Sequence, residues 1–294
     1  MAKLSTRDIK RKIQGIKNTQ RITKAMKAVS AAKLRKAQIQ LQATRPYSEK
    51  LYELINDLAM YVDRTSHPLL EIREEIKSID YIVVTADRGL AGAFNSNVIK
   101  RTLKDVQKFQ EEGKNVNLLL IGRKAVQFFR NKGFDIVGEY EDVYRDKVNL
   151  SFTSKIGADL VQRYTERKTD AIFIINNELI TTASYETKVR KLFPIEPEID
   201  LEKIDKMVQY NIEPTKEQVL ERLLKQYVDF QIYRAMVESS TAEHAARMLA
   251  MDNATRNAGE AIRKWTIVFN KARQESITTE LIDIINAAQA ISKN

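Results

Sequence analysis

The chain has 294 residues, a formal net charge of +10, no Cys and two His, and 43% of its residues are hydrophobic. This length permits one large or two modest domains with a sizeable core, and the composition excludes a disordered chain. Without Cys there is no disulfide scaffold, thiolate metal site or cysteine nucleophile, and two distant His exclude a multi-histidine metal centre. Because the sequence has neither an apolar run of about 18–20 residues nor a signal-like N-terminus, we expect a soluble intracellular protein.

Positive charge is concentrated in the first 50 residues. Fourteen Lys and Arg stand there against Asp8 and Glu49, so this segment carries +12 and the other 244 residues sum to −2. Such an asymmetry indicates an N-terminal arm that meets an acidic partner, or else a solvated helix face. Residues 1–45 contain no Phe, Tyr or Trp on which bases could stack, so a basic coiled coil that binds nucleic acid or acts as a scaffold is only the alternative function.

Both ends of the chain are predicted to be long helices. Residues 1–45 and 215–294 each contain one Gly and no Pro, whereas all five Pro lie between them. Pro breaks helix interiors, and a helix of 80 residues at ~1.5 Å per residue would be roughly 120 Å long. A helix of that length needs a second helix or a partner along its side.

Apolar residues repeat with coiled-coil spacing in these helices. The C-terminal repeat steps by 4 and 3 through Ala258, Ile262, Trp265, Phe269 and Ala272, and after a slip through Ile277, Leu281, Ile284, Ala288 and Ile291. The N-terminal stripe is Ile9, Ile13, Ile16, Ile22, Met26 and Val29. We therefore predict an antiparallel coiled coil of the two ends, with a seam so thin that a surrounding protein covers part of it.

The middle of the chain alternates strands with helices. Buried strands are predicted at residues 81–85, 116–121 and 171–175, and an antiparallel edge strand at 182–192. Helices are predicted up to Glu112, at 124–131 and at 153–166, with caps at Gly113 and Gly133. The fold class is thus α/β with long helices, in which a doubly wound α/β domain is inserted into the coiled coil. The predicted segments are 1–65 (N-terminal helix), 66–208 (α/β domain) and 209–294 (C-terminal helix).

No catalytic motif accompanies this domain. GxxxxGK[ST], GxGxxG and GxSxG are absent, and the turn after the first strand supplies only Gly89 and Gly92. An anion site at this turn is possible, but the spacing favours a plain tight turn. His244 lies in an Ala-rich helix and is interpreted as structural or interfacial rather than as a catalytic base. We therefore predict a non-enzymatic chain without catalytic residue, cofactor or metal.

Both ends and the central turn closely resemble the gamma subunits of rotary (F-type) ATP synthases. The matching runs are NTQRITKAMKAVSAAKLR (18–35), TADRGLAG (85–92), EHAARMLAM (243–251), NKARQ (270–274) and ITTE (277–280). Two positions depart from the family: Trp265 replaces a usually aliphatic residue, and Ala287 stands where glycine is frequent. The similarity extends over essentially the whole chain.

The resemblance implies a central rotor shaft of bacterial type that couples ion flow through a membrane c ring to ATP synthesis or hydrolysis at the beta subunits. Its implied partners are three alpha and three beta subunits, the epsilon subunit and the c ring, with one copy per complex and no nucleic acid. The implied location is the cytoplasmic face of the cell membrane, held peripherally. Implied beta-subunit contacts are Arg273, Gln274, Thr278, Lys24 and Met26, and the implied c-ring foot includes Tyr210 and Glu213.

Overall fold

A computed structural model describes residues 5–59, 67–144, 147–181, 184–196 and 213–292. The chain divides into two compact units. The terminal unit comprises residues 1–29 and 248–294, and the sheet unit comprises residues 30–247. Among the described residues, no helix is long and apolar enough to cross a bilayer.

Two long helices account for the ends of the chain, as predicted. Helix α1 spans Thr6–Ala59 and helix α5 spans Lys216–Ser292. The start of α1 is capped by Ser5, whose hydroxyl accepts a hydrogen bond from the Asp8 amide at 3.2 Å. Pro46 lies inside α1, although a proline removes one helical hydrogen bond and crowds the preceding turn. Buried Thr44, Ser48 and Leu51 on either side of it hold the helix in place.

The sheet unit contains a five-stranded sheet in the order β3-β2-β1-β4-β5. Its strands are β1 Ser78–Val84, β2 Asn115–Ile121, β3 Asp135–Tyr140, β4 Ala171–Thr181 and β5 Ser184–Phe193. The shorter helices are α2 Phe94–Glu111, α3 Arg123–Phe129 and α4 Leu150–Thr165. Strands β1 to β4 are parallel, and β5 pairs with β4 in the antiparallel sense. The predicted α/β fold with an antiparallel edge is thus confirmed; β3 alone was not anticipated.

The strands are buried on both faces because helices cover both sides of the sheet. On one face, Ile82 and Val84 of β1 pack with α4, the end of α1 and the first part of α5. On the other, Tyr81 and Val83 pack with α2 and α3. The alternation within β1 therefore directs successive side chains into two separate cores.

Charged groups fasten the amino ends of the strands. Asp80 in β1 is fully buried, and both of its carboxylate oxygens accept hydrogen bonds from Arg163 of α4, at 2.6 and 3.0 Å. Asp170 accepts hydrogen bonds from Arg73 and from the Ser78 amide. Burial alone would raise the pKa of Asp170, but these hydrogen bonds outweigh it and hold the pKa below its usual value. This edge of the sheet is thus an ionic clamp rather than a ligand site.

Candidate functional site

The terminal unit pairs α1 with α5 in antiparallel orientation. Lys27 contacts Asp252 at 2.5 Å, the Thr23 and Thr255 hydroxyls are 2.8 Å apart, and the Lys12 ammonium lies 4.0 Å from the centre of the Trp265 ring. Contacts that advance along α1 while they recede along α5 define an antiparallel pair. The pairing also accommodates Trp265, whose ring face receives the Lys12 cation.

The first half of the predicted α5 seam is confirmed. Ala258 is buried, and half-buried side chains follow at the predicted steps, namely Ile262, Trp265, Phe269 and Ala272. Side chains beside the seam, such as Arg263 and Lys264, are exposed. The spacing therefore identified the face of α5 that packs on α1.

The second half of the seam does not pair within the described chain, and its cover by a surrounding protein stays a prediction. Lys12 lies against Trp265, which places the described start of α1 near Ala272. Every described side chain from Arg273 to Asn286 is exposed, including Ile277, Leu281 and Ile284. Beyond Ala272, α5 therefore continues as a helix with a large uncovered apolar surface.

The predicted α1 stripe was wrong at Ile22 and Val29, which are 59% and 57% exposed. Polar side chains take the seam positions instead, at Gln20, Thr23 and Lys27. Gln20 donates a hydrogen bond to the Thr255 carbonyl at 3.4 Å. Its side chain also lies close to Gly259, where an added Cβ would be 3.1 Å from the Gln20 Nε2 atom. The pattern of apolar residues missed this layer because hydrogen bonds, not apolar contacts, satisfy it.

Four of the five residues implied as beta-subunit contacts are exposed in the terminal unit. Arg273, Gln274 and Thr278 are exposed on α5, where the Thr278 hydroxyl donates to the Gln274 carbonyl at 3.0 Å. On α1, Lys24 is exposed and Met26 is half-buried. Of the implied foot residues, Glu213 is exposed just before α5, and Tyr210 lies outside the described residues.

The described part of α1 in the terminal unit also carries the basic arm on its outer surface. Its exposed cations are Arg7, Lys10, Arg11, Lys12, Lys17, Arg21 and Lys24. The half-buried Lys27 instead contacts Asp252. Most of the N-terminal charge therefore faces outward, where an acidic surface can meet it with little desolvation.

In the sheet unit, α5 covers the crevice where doubly wound folds bind ligands, outside the carboxyl end of β1. Ala242 and Ala246 of α5 pack with Ala86, Ala91 and Phe94. The Arg247 guanidinium donates to the Gly89 carbonyl at 3.2 Å and to Glu243 at 2.6 Å. The GxxG turn is thus closed by the chain's own helix, which supports the interpretation as a plain tight turn.

The amide of Arg123, at the start of α3, already has an acceptor within the chain. Asp87 accepts hydrogen bonds from the amides of Arg123 at 2.9 Å, Asp142 at 3.0 Å and Tyr144 at 3.3 Å. An internal carboxylate thus occupies the place of an external anion. Among the described residues, no group of His, Asp and Glu is arranged to hold a metal ion.

His244 of α5 is half-buried next to Glu243. Burial, together with the nearby charges of Arg247 and Lys33, lowers the pKa of His244 to about 4. The adjacent Glu243 is also buried, which raises the pKa of its carboxyl although Arg247 opposes the shift. An imidazole that burial and two nearby cations keep neutral fits the structural role expected from the sequence.

Comparison with known proteins identifies the family. A family model described as "ATP synthase" matches residues 5–291. Relatives named ATP synthase gamma chain include one from Persephonella marina, which is 75% identical over 99% of this chain and 100% of its own length. Another from Aquifex aeolicus is 52% identical over 99% of each chain. The chain belongs to the ATP synthase gamma-chain family.

Solved structures with a similar fold include chains from two mitochondrial ATP synthases. A chain of the Euglena gracilis enzyme (OSCP/F1/c-ring) aligns over 97% of this chain and 94% of its own, with a TM-score of 0.70 and 22% identity. A chain of the Tetrahymena thermophila central stalk/c-ring aligns over 79% of this chain and 99% of its own, with a TM-score of 0.58 and 23% identity. These similarities show that the fold recurs in chains of both assemblies.

Membership of the gamma-chain family confirms the predicted function. The chain is a non-catalytic rotor-shaft subunit of an F-type ATP synthase, not a nucleic-acid-binding coiled coil. The covered crevice and the internally satisfied α3 amide explain in physical terms how a fold that often binds nucleotides serves here as a framework.

Proposed function

We propose that this chain, as a single copy inside a ring of three alpha and three beta subunits, transmits torque between a membrane c ring and the beta subunits. The observation that carries the proposal is the antiparallel pair of α1 and α5, from which α5 continues as an exposed helix. An asymmetric rod presents a different surface to each subunit around it. Rotation would therefore bring each beta subunit in turn through its conformational states.

The proposed beta-subunit contacts are Arg273, Gln274 and Thr278 on α5, with Lys24 and Met26 on α1. Lys24, Arg273 and Gln274 support this assignment because their side chains are exposed and can donate hydrogen bonds to acidic and polar loops. Exposed ion pairs are weak, each worth about 0–1 kcal/mol, so they can be made and broken at every step. The outward-facing basic arm of α1 suits an acidic partner that approaches repeatedly.

At the other end of the shaft, we propose that Tyr210 and Glu213 belong to the foot on the c ring and that the epsilon subunit lies beside the α/β domain. The three segments then have distinct roles: residues 1–65 and 209–294 form the shaft and 66–208 the part near the membrane. We place the complex peripherally on the cytoplasmic face of the cell membrane. The Tetrahymena chain, whose fold is similar, comes from an assembly of central stalk and c ring.

The first experiment is reconstitution with the alpha and beta subunits at high salt, followed by size and ATPase activity. One copy that joins a hexamer and alters its turnover supports the proposal, because high salt suppresses nonspecific binding by the basic arm. Failure to form a complex, together with tight DNA binding at low salt, would contradict it.

The assignment of the beta contacts needs its own variant. Arg273→Ala with Gln274→Ala should lower coupled ATP synthesis while thermal unfolding of the chain stays unchanged, since both side chains are exposed and alanine favours helix. Arg263→Ala with Lys264→Ala is the matched control, an exposed pair elsewhere on the same helix. Synthesis equal to that of the control would remove the assignment.

A further inference from the structure

A chain of charged side chains connects the sheet edge with α5 inside the sheet unit. Glu238 of α5 accepts hydrogen bonds from Arg190 of β5 at 2.6 Å and from Arg234, one turn earlier on its own helix, at 2.9 Å. Arg190 in turn contacts Glu178 of β4 at 3.0 Å. The hairpin strands β4 and β5 and the sequence-distant helix α5 thus meet at one guanidinium group.

Burial distinguishes this network from the exposed ion pairs elsewhere on the chain. The side chain of Glu238 is 8% exposed and that of Glu178 is 15% exposed, whereas Glu221 and Lys225 on the same helix are 54% and 59% exposed. Arg190 also donates to the side-chain oxygen of Asn176 at 3.4 Å. A buried carboxylate held from two sides has one well-defined position, since its charge becomes costly if either partner moves away.

The contacts around this network are of a different kind. Arg247 donates to the Gly89 carbonyl further along α5, but nearer the network Ala242 and Ala246 make apolar contacts with Ala86, Ala91 and Phe94. Such contacts are non-directional, so they resist separation of helix and sheet more than sliding or twisting. The directional hydrogen bonds of Glu238 and Arg190 add resistance to twist at the sheet edge, where the apolar contacts provide little.

We infer that Glu238 and Arg190 are positioning residues that lock α5 to the sheet against twisting under load. This inference rests on the proposed function, in which torque enters near Glu213 and leaves through the far end of α5. A helix held mainly by apolar packing would twist before it passed the load on. The lock is loaded when the c ring drives the shaft, and it carries little load when the alpha and beta subunits turn the chain without a membrane sector.

The test compares loaded and unloaded turnover for Glu238→Gln, which keeps the shape but removes the charge. In the complex with alpha and beta subunits alone, ATP hydrolysis should stay within about twofold of wild type. The variant weakens only the coupling to the membrane sector, and that sector is absent from this complex. In vesicles that contain the whole enzyme, ATP synthesis driven by an ion gradient should fall by about fivefold or more. Glu221→Gln, in the exposed pair of the same helix, should change neither rate.

Two further variants keep the inference decidable. Arg190→Met combined with Glu238→Gln should be no worse than Glu238→Gln alone if the two act as a unit. Should Glu238→Gln fail to assemble, Arg190→Lys decides: it keeps the charge but loses the two-pronged contact, and it should lower synthesis and spare hydrolysis.

Two results would overturn the inference. One is synthesis at the wild-type rate in the variants that assemble. The other is an equal loss of hydrolysis and synthesis, which would show general destabilisation instead of a torsional lock. Failure of the wild-type chain to join the alpha and beta subunits would contradict the proposed function instead, so the two failures are distinguishable.

Discussion

The half-buried imidazole of His244 should make the stability of the chain depend on pH in a predictable direction. Its pKa in the folded chain is about 4, whereas an unfolded histidine titrates near 6.5. As the pH falls, the unfolded state therefore binds the proton first. The stabilising effect is fully present above about pH 6.5 and is lost progressively as the pH falls from 6.5 to 4.

The magnitude follows from the difference between the two pKa values. At 1.36 kcal/mol per pKa unit, the loss between pH 6.5 and 4 is up to about 3 kcal/mol. The neighbouring Glu243 opposes part of this loss, because burial raises its pKa and the folded state gains a proton there as the pH falls. His67 acts in the same direction as His244, since burial also lowers its pKa.

The assay is urea unfolding of the wild type and His244→Gln at a series of pH values from 7.5 to 4.5. Because His67 and Glu243 titrate in both proteins, the readout is the difference between the two curves and not the slope of either one. The wild type should lose up to about 3 kcal/mol more than the variant across this range. Parallel curves would refute the lowered pKa assigned to His244.

Two other substitutions test the sheet unit and the terminal unit separately. Gly122→Ala should lower the free energy of unfolding by about 3 kcal/mol or more, because φ at Gly122 is +95° and a Cβ would lie 2.2 Å from the Thr85 carbonyl oxygen. Gly113→Ala is the control: φ there is +76° but the space is open, so thermal unfolding should show a loss of only about 1 kcal/mol. Ile262→Pro should lower the melting temperature, because a proline inside a helix costs about 3 kcal/mol of stability. Deletion of residues 287–294 should leave the melting temperature unchanged. Equal tolerance of both changes would argue against a continuous helix that carries load.

The sequence predicted the central fold well where local pattern and tertiary structure agree. The apolar runs of β1, β2 and β4 are buried on both faces, so their composition alone identifies them. Strand β3 was missed because it is half-buried and contains Asp135, Gly138 and Glu139, which are unfavourable in strands. Its place at the sheet edge follows from pairing with β2, which no local pattern contains.

The candidate site was predictable only in part, for a similar reason. Heptad spacing located the face of α5 that packs on α1. It could not reveal that Gln20, Thr23 and Lys27 belong to the face of α1 that packs on α5. Nor could the spacing distinguish the part of the α5 seam that packs on α1 from the part that does not. The lock at Glu238 and Arg190 joins residues 48 positions apart, and each looks like an ordinary surface charge in the sequence.

The exposed end of α5 differs in kind from the paired part. At about 100° per residue, the exposed apolar side chains, namely Ile277, Leu281, Ile282, Ile284 and Ile285, form a band roughly 160° wide. A two-stranded coiled coil covers a narrower seam of alternating 3- and 4-residue steps. One partner helix would therefore leave part of the band in water, whereas a ring of subunits can cover it from several sides. The width of this band thus favours an enclosing collar over a second helix as the partner of the shaft tip.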